Sequence, residues 1–474
     1  MKLDSLADFS DRLSPMLVKE LRQGLRTRSF IAVFLTLQIV LGIILLSAGA
    51  LATSDNAGQK ISSTIFIFFS IAVIVVQPMR GIAALSSEIK GNTIDMLVLT
   101  RLSAWRVVTG KWAAIVSQSA LILVTIIPYL ILRYFFGGMN LVGEIMLLLL
   151  IFVTSATITA ITVGLSASAS AILRSILPMV ALPIGAISLL GMIFSVGNSD
   201  LSEVCALDTK ASRIFVPCYL AACAYTGFFF LSTGTSLIAP YAENHSTLRR
   251  ILALVLTVIG AVICSFSFVD PMATPFVFGL IFAPVFAISL SEFAPLAPPT
   301  FQKFSQYGAF GKLVGIFLFP GWASGVFFCL LLSCIAAIPF IVNQRPNYAV
   351  DEPIIFALCF LGTLLFPAVI INGFRMKGAH RVSNYVLFGV ASFIVPMLLM
   401  GLAETMSNKG FMWLFIWIPP VLLFMHGGRG FDNGDIFLAA TVIDALLTLI
   451  LLILARREYS LSMREVGKSI ASVK

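Results

Sequence analysis

The sequence predicts an all-α protein that crosses a membrane about twelve times. Three observations lead there. Of the 474 residues, 59% are hydrophobic and only 11% charged, with a mean hydropathy of +1.01. Soluble domains carry about 25% charged residues, and a soluble interior could not hide this much apolar surface. Next, the apolar residues come in runs of spanning length, about 20 residues each. Finally, the basic residues border those runs, as the positive-inside pattern requires. The net charge of +9 is therefore a topology signal and does not point to nucleic acid.

Residues Met1–Ser29 are polar and basic. Within them Ser14–Arg28 follows helix-start grammar, with Ser14 as cap and Pro15 in the first turn. Met16, Leu17, Leu21 and Leu25 fall roughly on one side, and Lys19, Arg22, Arg26 and Arg28 supply a cationic face. This suits a helix lying at the headgroup level before the first span. The first apolar run, Phe30–Leu51, ends in Ala48-Gly49-Ala50, which resembles a cleavage site. Its long leader and spanning length favour an uncleaved helix.

Further spans are expected at Ser63–Leu85, Trp112–Phe136, Leu141–Ala169, Ser175–Val196 and Phe215–Ala239. After the polar stretch Tyr241–Arg250 come Ile251–Val269, Met272–Ser291, Leu313–Val342, Ile354–Phe374, Val386–Ala403 and Ile436–Ala455. The tail, residues 456–474, is basic, with Arg456, Arg457, Arg464, Lys468 and Lys474. Phe411–Met425 is apolar but short and interrupted by Pro419-Pro420. If it crosses, there are thirteen spans and the tail lies outside. If it re-enters, which is tolerated where protein buries the backbone, there are twelve and both termini lie inside. The second choice puts most of the 31 Lys and Arg residues on the cytoplasmic side and is favoured.

Twelve spans suggest two sixes. The second span ends Ala84-Leu85-Ser86-Ser87-Glu88 and the eighth ends Ile288-Ser289-Leu290-Ser291-Glu292. Gly110-Lys111 opens the third span and Gly311-Lys312 the ninth. With both polar inserts on one face, this is a parallel repeat about an axis along the membrane normal. The expected organisation is a cytoplasmic segment at 1–29, a first half at 30–240, a degenerate second half at 241–455 and a cytoplasmic tail at 456–474.

Catalytic chemistry is hard to place on this chain. His245, His380 and His426 have no metal-ligand spacing. Gly467-Lys468-Ser469 ends like a phosphate-binding loop, but Ser462 stands where that motif needs Gly. No ATP-binding motif is found, and the chain reads as a non-enzyme. Cys205 and Cys218 flank a polar loop and would pair only if that loop is extracytoplasmic. Cys264, Cys329, Cys334 and Cys359 lie in apolar runs and read as small core residues. Arg174 and Asn372, near span ends, read as interface markers. Asp444, well inside the last span, is a functional candidate by position, against the plainer reading of a carboxyl bonded inside the bundle.

The densest polar stretch is Ala84–Lys111, between the second and third spans. It holds Ser87-Glu88, then Gly91-Asn92-Thr93-Ile94-Asp95-Met96-Leu97-Val98-Leu99-Thr100, Leu102-Ser103 and Gly110-Lys111. Together with Pro15–Arg22 before the first span, it resembles the permease subunits of ABC transporters of the type 2 export class. Their usual form has Glu, Gly-Thr, Leu-Asp, Leu-Leu, Thr-Pro and a Gly-Lys leading into the next helix. This chain departs at Asn92, inserted between Gly and Thr, and at Arg101, where Pro is common. The match covers residues 14 to about 240.

The resemblance implies a bacterial cytoplasmic-membrane exporter that carries no ATP site. A separate P-loop ATPase subunit would bring ATP and Mg, and the insert would seat on it as a coupling helix. Glu88, Thr93, Asp95, Thr100 and Arg101 would shape that helix and meet the ATPase. Met96, Leu97 and Leu99 would add apolar contact, and Lys19, Glu20 and Arg22 the polar side of an elbow helix. Membrane lipids are the other expected partners, with a second permease copy where the degenerate half leaves dimerisation necessary. The rivals are a secondary transporter of two six-helix halves and a membrane anchor of an envelope machine.

Overall fold

The computed structural model describes residues 15–51, 57–90, 103–135, 141–168, 210–239, 243–266, 273–293, 298–343, 352–376, 380–406, 410–427 and 431–471. Among these every regular element is helical. The chain divides into two compact units, Met1–Ala239 and Pro240–Lys474.

In the first unit α1 (Pro15–Leu25) precedes α2 (Arg28–Leu51). Pro15 suits the first turn of α1, where its missing N–H leaves no bond unmade. Lys19 and Arg22 point outward, and Leu25 packs into the unit's core. α2 exposes Ile31, Leu35, Ile39, Ile43 and Leu46, a stripe at helical spacing, and buries Phe30, Leu37 and Leu41. That outward stripe belongs against lipid, where apolar surface costs nothing.

The next span begins as α3 (Ala57–Ser70) and is irregular beyond it. A π-helical turn runs over Ile71–Val76, and Arg80–Ala83 tightens to a 3-10 turn. Pro78 follows the π-turn and has no N–H to continue the ladder. Hydroxyls of a neighbouring helix repair the backbone. Ser155 Oγ donates to the Val73 carbonyl at 2.6 Å, and the Leu85 N–H donates to Ser166 Oγ at 3.1 Å. Such repair lets a broken helix persist at membrane depth. The other helices among the unit's described residues are α4 (Ser86–Lys90), α5 (Ala104–Tyr134), α6 (Leu141–Ser166) and α7 (Lys210–Ile238). α5 starts well before the expected Trp112, because Ala104–Lys111 is already helical. Ile65, Phe69, Ile122, Ile126 and Ile151 form one core cluster, and Leu85, Val108, Ala160, Val163 and Leu231 another.

The second unit contains α8 (Ser246–Cys264), α9 (Ala273–Ser291), α10 (Pro298–Ser305), α11 (Gly308–Leu318), α12 (Trp322–Val342), α13 (Glu352–Gly373), α14 (Arg381–Met406), α15 (Pro419–Gly427) and α16 (Asn433–Ala471). Its core joins Ile355 and Cys359 of α13 to Val421 and Met425 of α15 and Ala440 of α16.

Two expectations change here. The run Leu313–Val342 is two helices, broken at Phe319-Pro320-Gly321. Gly321 has φ 105° and ψ 155°, a conformation only glycine adopts easily. Phe411–Met425, expected to re-enter and not to cross, is not one continuous helix. It is a 3-10 turn over Gly410–Phe415 followed by α15, with Met412, Val421 and Met425 fully buried. The basic tail continues the last span as one helix to Ala471, since no Gly or Pro lies between Ala455 and Val466 to stop it.

Candidate functional site

Polar side chains gather where α1, α4 and α5 meet. Lys111 of α5 is buried, and its Nζ donates to Glu20 Oε1 of α1 at 3.1 Å. The same ammonium lies 2.8 Å from Glu88 Oε1 of α4. One cation thus joins the N-terminal helix to both ends of the polar insert. Such partly buried pairs fix geometry more than they add stability.

A second fastening lies two turns along α5, at Gln118. Arg80 donates to Gln118 Oε1 and, at 2.9 Å, to Thr27 Oγ1. It also reaches the Gly24 carbonyl at 3.4 Å, and its guanidinium sits 6.0 Å from the Phe30 ring centre. Thr27 Oγ1 donates to the same carbonyl at 2.7 Å, so the end of α1 is capped twice. Gly24 permits this approach, because a Cβ there would come within 2.1 Å of Gln118 Nε2.

Of the residues expected to form the site, Glu20 and Glu88 are brought together. Lys19 and Arg22 lie on the exposed side of α1. Thr93, Asp95, Met96, Leu97, Leu99, Thr100 and Arg101 fall outside the described residues, as do Arg174, Cys205 and the expected fifth span Ser175–Val196. Arg80, Gln118 and Thr27 escaped the sequence reading. Their one signal was polarity at the edge of, or inside, an apolar run. Lys111 was noted only as part of Gly110-Lys111.

The second unit builds a different cluster at the corresponding acid. Glu292 receives Arg249 at 3.2 Å and Arg250 at 3.1 Å, both from α8, with the Ser246 hydroxyl and, at 3.2 Å, the Gly321 N–H. Lys312, expected to correspond to Lys111, is exposed. Arg250 also donates to the Phe317 and Phe319 carbonyls at the helix break, and at 2.9 Å to the Gly321 carbonyl, which accepts the Gly325 N–H as well. Burial alone would push the Glu292 carboxyl up. Arg250 and Arg249, with the Ser246 and Gly321 hydrogen bonds, outweigh it and hold the group below the usual carboxylate range.

Asp444 is buried on α16. Asn372, in the last turn of α13, is buried too. It donates to the Leu290 carbonyl at 3.2 Å and accepts from Arg381. Cys334 is exposed, unlike Cys264, Cys329 and Cys359, and Cys218 is an exposed free thiol on α7.

Among the described residues eleven helices are long and apolar enough to cross a bilayer. The chain is therefore an all-α, multi-pass membrane protein. No family model, curated protein or solved structure matches it.

Proposed function

We propose that this protein is the permease subunit of an ATP-driven exporter of the ABC type 2 class. The observation that carries the reading is the Glu20–Lys111–Glu88 ion triad. A polar insert that only closed a turn would need no buried tie to the N-terminal helix. Here one ammonium ties α1 to the residues just before and just after the insert. Displacement of the insert would then move α1 and α5 together, as near rigid bodies.

In this reading a separate P-loop ATPase binds ATP and Mg and presses on residues 91–102. The layout is twelve spans in two six-helix halves, with residues 411–425 re-entrant and both termini cytoplasmic, in a bacterial inner membrane. A secondary transporter is the second reading, and buried Asp444 is the observation that favours it.

The test is purification of the native protein in mild detergent, with mass spectrometry of what accompanies it. We expect a P-loop ATPase, lost on deletion of Gly91–Leu102 or on Asp95→Ala. A preparation without any such ATPase at every detergent strength overturns the exporter reading.

A further inference from the structure

Asp444 lies within the apolar part of α16 and is 7% exposed. Its Oδ2 is fully buried without a hydrogen-bond partner among the described residues. The carboxyl fits against α13 only because position 362 is glycine. A Cβ there would lie 2.4 Å from Asp444 Oδ1 and 3.0 Å from Pro419 Cβ.

Pro419 opens α15, so a helix N-terminus closes the pocket. Such an end normally offers unpaired N–H groups to an anion. Pro419 and Pro420 carry none, and the Val421 N–H donates to the Ile418 carbonyl at 2.9 Å. The pocket therefore supplies a carboxylate with neither a donor nor a cation.

The surrounding helices do not change this. α10, α12, α13 and α15 pack on α16. Their titratable groups are Lys303 on α10, Cys329 and Cys334 on α12, Glu352 and Cys359 on α13, and His426 on α15. Of these, the Cys359 thiol is the one coupled electrostatically to Asp444. On α16 itself the nearest charged groups are Asp435 and Arg456, roughly 13 Å and 18 Å away along the axis.

An unpaired charge in such surroundings is costly, and intramembrane carboxyls mark ion and proton sites. A metal ion needs several ligands. Among the described residues no group of three His, Cys, Asp or Glu exists, and the neighbouring Thr363 hydroxyl donates to the Cys359 carbonyl. A proton needs one oxygen only. One turn along the same face, Thr448 and Ser333 line a cavity of about 20 Å³, with Leu361 beside Gly362. That is room for one water, although the Ser333 hydroxyl donates to the Cys329 carbonyl at 3.0 Å and Asp444 itself does not line this cavity. Ser333 and Leu361 also line a larger apolar cavity of about 270 Å³ between α9, α12 and α13.

We propose that Asp444 is an intramembrane proton-binding site, loaded in this conformation and exchanging its proton with water. Release breaks the carboxyl O–H bond, leaves the electron pair on the oxygen and passes the proton to water. Return reverses each step. The inference is independent of any ATPase partner.

The test is infrared spectroscopy of the full chain in lipid nanodiscs, wild type against Asp444→Asn. At pH 7 an exposed aspartate is ionised about a thousandfold over its acid form. We expect a protonated-carboxyl band at pH 7 that Asp444→Asn removes and that shifts in D2O. Exchanging sodium for potassium should leave it unchanged. Absence of an Asp444-dependent band at pH 7, or its loss on adding sodium, overturns the proton assignment. A band that never shifts in D2O overturns the exchange with water. Should Asp444→Asn fail to fold, dicyclohexylcarbodiimide, which adds to protonated carboxyls, should label wild-type Asp444 at pH 7. Labelling of Asp444 confined to acid pH overturns the proposal.

Discussion

Lys111 and Glu292 show how a single charge can hold a broken or bent backbone in place. Lys111→Met would leave Glu20 and Glu88 facing each other without their shared cation. Removing one partner of a buried pair costs about 3 kcal/mol or more. We expect a lower Tm in detergent and restoration by Lys111→Arg; an unchanged Tm in Lys111→Met would show that the triad holds nothing. Glu292→Gln would strand two buried guanidinium groups, at a similar or larger cost. Because the folded Glu292 pKa is lowered, its stabilisation is present above the ordinary carboxylate pKa. It is lost as pH falls through the depressed folded value. Unfolding monitored across acid pH should therefore show a stability loss in the wild type that is blunted in Glu292→Gln.

At the scale of elements, the attachment of α1 rests on close contact as much as on charge. Gly24→Leu would displace Gln118 and with it the Arg80 hydrogen bonds. We expect faster proteolysis within residues 15–27, with the core spans unaffected. The break before α12 rests on Gly321 at φ 105°. Gly321→Ala would impose strain of about 1–3 kcal/mol, read as a Tm decrease. The break was hard to foresee because Phe319-Pro320-Gly321 sits inside an unbroken apolar run. Hydropathy counts such residues as membrane-compatible and is blind to the Arg250 guanidinium that gathers the freed carbonyls.

For the whole molecule, topology is the open test of the twelve-span layout. A reporter at the C-terminus should be protected in intact cells and accessible only after lysis. Accessibility from outside would require an odd number of crossings. The two units also make different contacts at the acids that the sequence reading pairs. Glu88 meets a lysine from the following span, and Glu292 two arginines from the preceding one.

Apolar run length placed most crossings, because a helix that meets every backbone hydrogen bond within itself is the local solution in lipid. The same local rules marked the outward cations of α1 and singled out Asp444 by its surroundings in sequence. Partnership was beyond those rules. Arg80 finds Gln118 across 38 residues and Arg250 finds Phe319 across 69. Nothing in the neighbourhood of either arginine names its acceptor. Which carboxyl is paired, which is left bare, and where a helix breaks are settled by the packing of distant helices, since burial sets the cost of every unmet polar group.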